Sequence, residues 1–182
     1  MTDLTPTPDA AVRTARPTDA GGVGAVQAQL WASAYGMFLS PELLHQFTPE
    51  AFSQVWEESL SAPPSPLHRL LVATQGTELV GFVAIGPAGD GTGAIGEILI
   101  GGVVESHRRT GHGSRLLNAA VDTLLAGNFG QVETWVLALD STTLEFAEQA
   151  GLTADGAWRE RALPGDNTAR EVRLRAWIGP QD

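Results

Sequence analysis

Residues 103–117 read VVESHRRTGHGSRLL, and this stretch decides the fold. An apolar run from Ala94 to Val104 leads into it and predicts a long strand, interrupted by the pair Gly101-Gly102, where a bulge or a close backbone approach is expected. A glycine-rich turn at 111–113 follows. Then Leu116, Leu117, Ala120, Val121, Leu124 and Leu125 recur on one helical face, which predicts a helix through about Ala126. Glycines let backbone N–H groups come close to a ligand. A helix start adds unpaired N–H donors and the positive end of its dipole. Arg108, Arg109 and Arg115 add fixed positive charge around them. The bland reading is a strand-to-helix turn that needs glycine for geometry alone. Three arginines at such a turn, in a chain with 21 acidic and only 11 basic residues, favour an anion site of the pyrophosphate-cradle kind. Its backbone would be offered by Arg109, Thr110, Gly111, His112, Gly113 and Ser114.

Downstream, Val132–Ala138 reads as a buried strand and Thr142–Ala150 as a helix closed by Gly151. Two last strands are expected near 156–161 and 170–177, joined by a turn at 163–167. Upstream, His68–Thr74 and Leu79–Gly86 flank Gln75-Gly76 as a hairpin, and 86–93 reads as a flexible loop. SAPPSP at 61–66 ends a helical N-terminal third. There, Ser40-Pro41-Glu42 and Thr48-Pro49-Glu50 each place a cap, a proline and an acid at a helix start. A longer helix carries Val23, Val26, Leu30, Trp31 and Ala34 on one face, with Thr18 as its expected N-cap. Ala11–Arg16 reads as a short first strand, and residues 1–10 as a disordered polar tail without the apolar segment of a signal peptide. The sum is an α/β chain: one domain over 11–180, a mixed central sheet with helices on both faces.

Composition narrows the chemistry. All 11 basic residues are arginine, so a lysine-dependent phosphate loop and pyridoxal Schiff-base chemistry are excluded. Without Cys there is no disulfide, thiolate nucleophile or thiolate-bound metal. His107 and His112 stand five apart in a turn, a poor spacing for a metal, so no metal is expected. The formal net charge of -10 argues against nucleic-acid binding and weakly favours cationic acceptors such as polyamines, aminoglycosides or basic protein tails. No apolar stretch approaches a membrane span, so a cytoplasmic protein without a membrane partner is expected.

Arg108-x-x-Gly111-x-Gly113, with Val103 ending the strand before it and Leu116-Leu117 in the helix after it, resembles the coenzyme A signature of the GNAT superfamily of acyl-CoA-dependent N-acyltransferases. VLALDSTTLEFAEQAGL at 136–152 is similar to that family's second motif: Asp140 stands where Asn is usual, Phe146 matches a Phe, and Gly151-Leu152 match Gly-Phe. Two positions depart from the pattern, Glu105 for a common Pro and Ala147 for a Tyr that often protonates the leaving thiolate. Trp31-x-x-x-Tyr35 and Leu39–Leu43 resemble a subgroup with an aromatic first helix. The resemblance implies acetyl-CoA as cosubstrate, set between two splayed strands, with its pyrophosphate on 109–114 and its pantetheine against Gly101 and Val103. It implies an N-acetyltransferase acting on a small-molecule or peptide amine, and homodimers are common in the family.

Glu97 is the expected base. An acid among Ile95, Ile98, Leu99 and Ile100 is unusual, because burying a carboxylate is costly without partners. The alternatives are a Glu paired to Arg and one at a solvated strand end. Six residues before Val103 is also where the family often carries its acid. Tyr35 and Trp31 are read as lining an acceptor pocket, with helix-core packing as the equal alternative for Tyr35. Arginines 159, 161, 170, 173 and 175 read as the polar face of a hairpin, and Trp135, Trp158 and Trp177 as core or dimer-interface residues. Loss of the Tyr at 147 keeps a non-catalytic acyl-CoA binder open as a second reading. A plain interaction module is a third.

Overall fold

The computed structural model describes residues 10–89 and 93–180. Seven strands form one mixed sheet. They are β1 (Ala10–Thr14), β2 (Arg69–Gln75), β3 (Glu78–Pro87), β4 (Ile95–Val103), β5 (Gln131–Leu137), β6 (Thr153–Leu163) and β7 (Asn167–Trp177), in the spatial order β1-β2-β3-β4-β5-β7-β6. Every neighbouring pair is antiparallel except β4 and β5. The helices are α1 (Ala20–Tyr35), α2 (Pro41–Leu44), α3 (Pro49–Ser61), α4 (His112–Ala126) and α5 (Ser141–Gln149). Two of the expected caps are made: Ser40 Oγ accepts from the Leu43 N–H and Thr48 Oγ1 from the Ala51 N–H.

The helices cover both faces of the sheet. A Cβ on Gly81 of β3 would meet Leu116 of α4, whereas one on Gly102 of β4 would meet Leu30 of α1. Gly81 pairs with Val103, one residue from Gly102, so the two helices lie on opposite sides. Phe82, Ile85, Leu124 and Leu174 are fully buried in the main core. A second cluster joins Tyr35 and Leu39 to Leu137, Leu163 and Ala169 of the C-terminal strands. Among the described residues no helix is long and apolar enough to cross a membrane, and no group of three metal-ligating side chains is present.

The structure corrects the sequence reading, or decides between its alternatives, in five places. Ala10 already belongs to β1, while the rest of the expected tail and residues 90–92 of the expected loop lie outside the described residues. Thr18 is not the cap of α1. Residues 17–19 form a single 3-10 turn, and the Asp19 carboxylate organises the start by accepting from the Arg16 N–H at 2.6 Å and from the Arg13 guanidinium at 2.7 and 2.9 Å. That ion pair, formed across from β1, holds the Asp19 carboxyl below the usual carboxylate range.

The bulge in β4 is not at the glycine pair. Ala84 faces Ile100 and Ile85 faces Ile98, so Leu99 is the extra residue. Gly101 instead answers to close approach, since a Cβ there would stand 2.6 Å from the Phe82 carbonyl oxygen. Trp158 and Trp177 are 56% and 58% exposed, so neither is core. Finally, the C-terminal arginines are not one solvated face. Arg170 lies outside over the Trp158 ring, but the other four turn onto the opposite face and meet buried carboxylates.

Candidate active site

β4 pairs with β3 along its length but with β5 only from Ile95↔Gln131 to Ile98↔Thr134. Beyond Ile98 the two parallel strands part. The Val104 N–H donates to the Val80 carbonyl at 2.9 Å. With the period of two in an antiparallel ladder, Gly102 also faces β3, and Gly101 and Val103 turn their backbone groups to the gap. Arg108 Nε donates to the Val103 carbonyl at 3.2 Å, which leaves the Val103 N–H on that side. The Arg108 guanidinium thus ties the turn to the strand end.

After a 3-10 turn at Glu105–His107, Arg109 (φ 60) and Gly111 (φ 87) reverse the chain and α4 begins at His112. The Arg108 N–H donates to the Glu105 carbonyl. Among the described residues, none of the N–H groups from Arg109 to Ser114 donates to a protein acceptor. Thr110 Oγ1 donates to the His107 carbonyl at 2.6 Å and Arg115 Nη1 reaches the Thr110 carbonyl at 3.4 Å, so side chains hold the loop while its N–H groups stay without protein acceptors. A Cβ on Gly113 would make ordinary contact with the Phe146 ring at 3.5 Å, placing Phe146 of α5 beside the loop.

Gly111 caps α4 with a left-handed φ that an L side chain adopts only at a cost of about 1–2 kcal/mol. Gly111→Ala is therefore expected to lower the melting temperature by about 2–8 °C, at 2–4 °C per kcal/mol for a chain of this size. Calorimetry on the variant checks this, and an unchanged transition would mean the turn tolerates another conformation.

The side chain of His112 has a task the sequence did not disclose. It is 1% exposed, and its Nε2 pairs with Gln75 Oε1 of β2 at 2.8 Å, anchoring the first residue of α4 to the sheet. Burial, then the Arg115 and His107 charges, push its pKa down, so the ring is neutral. Asp140 caps α5, accepting from the Thr143 N–H at 3.0 Å and from Thr143 Oγ1 at 2.6 Å. Ala147 is buried in the main core and offers no proton donor.

Glu97 stands on β4 just before the strands part, opposite Glu133 of β5. Burial raises its pKa, the Glu133 carboxylate raises it further, and Arg159 and Arg161 pull against both. Glu133 is 5% exposed and is clamped by Arg175 at 2.5 and 2.8 Å, with Arg173 at 3.8 Å. Glu171 is 3% exposed, and its two oxygens accept one each from Arg159 Nε and Arg161 Nε, both at 2.6 Å. Arg159 and Arg173 also lie over the Trp135 ring, 4.3 and 5.5 Å from its centroid. Glu133, next to Val132 in a mostly apolar strand, could have been flagged as Glu97 was, whereas Glu171 stands among arginines in β7 and gave no such signal.

Tyr35 is buried beside the same charges. Its phenol pKa is raised by burial, lowered by Arg161 and raised by Glu171, so the hydroxyl keeps its proton. Trp31 meets Tyr35, Phe47 and Phe52 edge-on at 5.0–5.3 Å between ring centroids. The structure therefore brings Trp31, Tyr35 and Glu97 to one side of the sheet, and the loop 109–114 to the end of the gap between β4 and β5.

The family model described as the acetyltransferase (GNAT) family matches residues 31–152. No curated protein matches the chain. Among solved structures, PaiA N-acetyltransferase from Thermoplasma acidophilum in complex with coenzyme A is similar at a TM-score of 0.69 and 16% identity, over 90% of this chain and 98% of that one. Ribosomal-protein-S5-alanine acetyltransferase from Vibrio fischeri gives 0.69 and 15%, over 93% of each chain. The ribosomal-protein-S18-alanine N-acetyltransferase from Escherichia coli gives 0.65 and 15%, over 96% and 97%. At such identities these likenesses speak for the fold, and the family model, which spans more than half of the sequence, speaks for descent: the chain belongs to the GNAT acetyltransferase family.

Proposed function

We propose that this chain transfers an acetyl group from acetyl-CoA to a primary amine by direct attack, with Glu97 as the base. The observation that carries the reading is the row of undonated N–H groups from Arg109 to Ser114 at the mouth of the gap between β4 and β5. Such a row, at a helix N-terminus with Arg109 and Arg115 beside it, suits a pyrophosphate. The Gly101 and Val103 backbone groups facing the gap suit the amides of a pantetheine arm, and Phe146 borders the loop. Bound there, acetyl-CoA supplies an activated thioester carbonyl.

Glu97 takes the proton of the acceptor's ammonium or of its attacking nitrogen, directly or through water. A C–N bond forms, the C–S bond breaks, and the thiolate receives a proton. A strand N–H at the gap steadies the charge on the carbonyl oxygen. Ala147 cannot donate the thiolate's proton, so Tyr35, Ser141 or water does. The acceptor is a small-molecule or peptide amine.

Ala147 also favours the reading of a CoA binder without turnover, and one experiment separates the two. CoA at 100 times its dissociation constant is expected to stabilise the fold by about 2.7 kcal/mol. Acetyl-CoA with a panel of primary amines is expected to release free thiol. A thermal shift without thiol release supports the binder. No shift and no calorimetric binding at millimolar CoA overturns both.

A further inference from the structure

The acceptor side of Glu97 is not as acidic as the protein around it. Arg159, Arg161, Arg173 and Arg175 face three partner carboxylates, Glu133, Glu171 and Asp155, leaving one positive charge in excess before Glu97 is counted. Glu133 is committed to Arg175, and both Glu171 oxygens are committed to Nε donors. Arg159 and Arg161 sit two apart on β6, on the face that Tyr35 covers with Leu163 and Ala169. Each gives only its Nε to Glu171, and among the described residues their Nη groups meet no hydrogen-bond acceptor. Their side chains are 41% and 33% exposed, so the pair is partly open to solvent. Buried Glu171 holds both guanidiniums through their Nε atoms, and the planar donors that remain on an arginine match a two-oxygen anion.

We infer that the acceptor carries an anionic group near its amine, a carboxylate or a phosphonate-type group, gripped by the Nη donors of Arg161 and Arg159 while the amine lies at Glu97. This rests on the reading of Glu97 as the base and sets the acceptor class as amino-acid-like. The overall charge of -10 points the other way, toward polycations. The local pair decides, because screening in salt water confines a charge's influence to about 8–10 Å. A dipolar acceptor also leaves the cluster balanced, its anion facing the surplus arginine charge and its ammonium facing the Glu97 carboxylate.

The test uses the full chain saturated with CoA or acetyl-CoA and matched acceptors: amino acids, their amides, the amines lacking the carboxylate, aminophosphonates, and a polyamine. Amino acids or aminophosphonates are expected to exceed their uncharged partners at least tenfold in kcat/KM, with the difference in KM, and the two arms tell carboxylate from phosphonate. Arg161→Gln is expected to abolish that preference without changing CoA affinity, and Arg161→Lys to restore part of it. Should Arg161→Gln fail to fold, Arg159→Gln and the wild-type panel decide. Equal use of amides, or preference for the polyamine, by a protein that binds CoA and turns over overturns this inference and leaves the proposed function standing. Absence of CoA binding overturns the proposed function. Calorimetry of the same acceptors with the protein alone then reads the anion site directly, and no preference for the anionic members overturns it.

Discussion

Replacing Glu97 by Gln is expected to lower kcat by about 10²–10⁴-fold, the range for one acid–base group, and to leave CoA affinity unchanged. The two functions lie on different parts of the fold. The N–H groups proposed to hold the pyrophosphate belong to the loop after β4, and Glu97 lies before the bulge at Leu99, on the side of α1 and the arginine cluster. In the native protein, burial and Glu133 hold the Glu97 pKa above its ordinary value against Arg159 and Arg161. The rate should therefore rise with pH through a limb above the usual carboxylate range, and that limb should vanish in the variant.

Stability should move the opposite way. A carboxyl whose folded pKa exceeds its unfolded one favours the fold below the unfolded pKa, and that contribution is lost as pH rises through the folded value. Ionised Glu97 is thus a cost at neutral pH, and Glu97→Gln should melt no lower than wild type. Full kcat across pH 6–9 in Glu97→Gln, with an accepted amine, would make Glu97 a structural residue.

The largest loss of stability is expected at Glu171. Removing one partner of a buried ion pair costs about 3–5 kcal/mol. Arg159 and Arg161 are partly exposed and regain some hydration, which places Glu171→Ala near the low end, at about 3 kcal/mol. The melting temperature should fall by about 6–12 °C. Glu171→Gln keeps the shape but not the charge and should fall nearly as far, since two neighbouring guanidiniums then lack their counter-charge. A transition within a degree of wild type in both variants would mean that the arginines are held by solvent instead.

How much of this was legible in the chain differs from element to element. The hairpin 69–87, the strand 95–103 and the strand 131–137 were readable as short apolar runs and the helix 112–126 by its 3.6-residue period, each with a glycine or proline at its border. The loop 109–114 was readable because glycine and arginine coincide there. The start of α1 was not: the Asp19 carboxylate turns back to the Arg16 N–H and to Arg13 on β1, and no side chain caps the helix. The bulge at Leu99 was not readable either, because a bulge is set by the pairing of two strands and the glycines nearby serve packing.

Sequence alone determined the fold class, the family and the glycine- and arginine-rich turn before the helix, since these rest on local pattern and short spacing. Only the tertiary structure decided what surrounds Glu97. The Glu133 carboxylate reaches it across the parallel pair β4 and β5, and Arg159 and Arg161 come from a strand more than 60 residues later in the chain. Ionic partners act through space at a few ångströms, and nothing in the order of residues records which strands the sheet will set side by side. The same holds for the acceptor we infer: net charge is a sum over the whole surface, whereas recognition depends on the few groups within reach of the bound molecule.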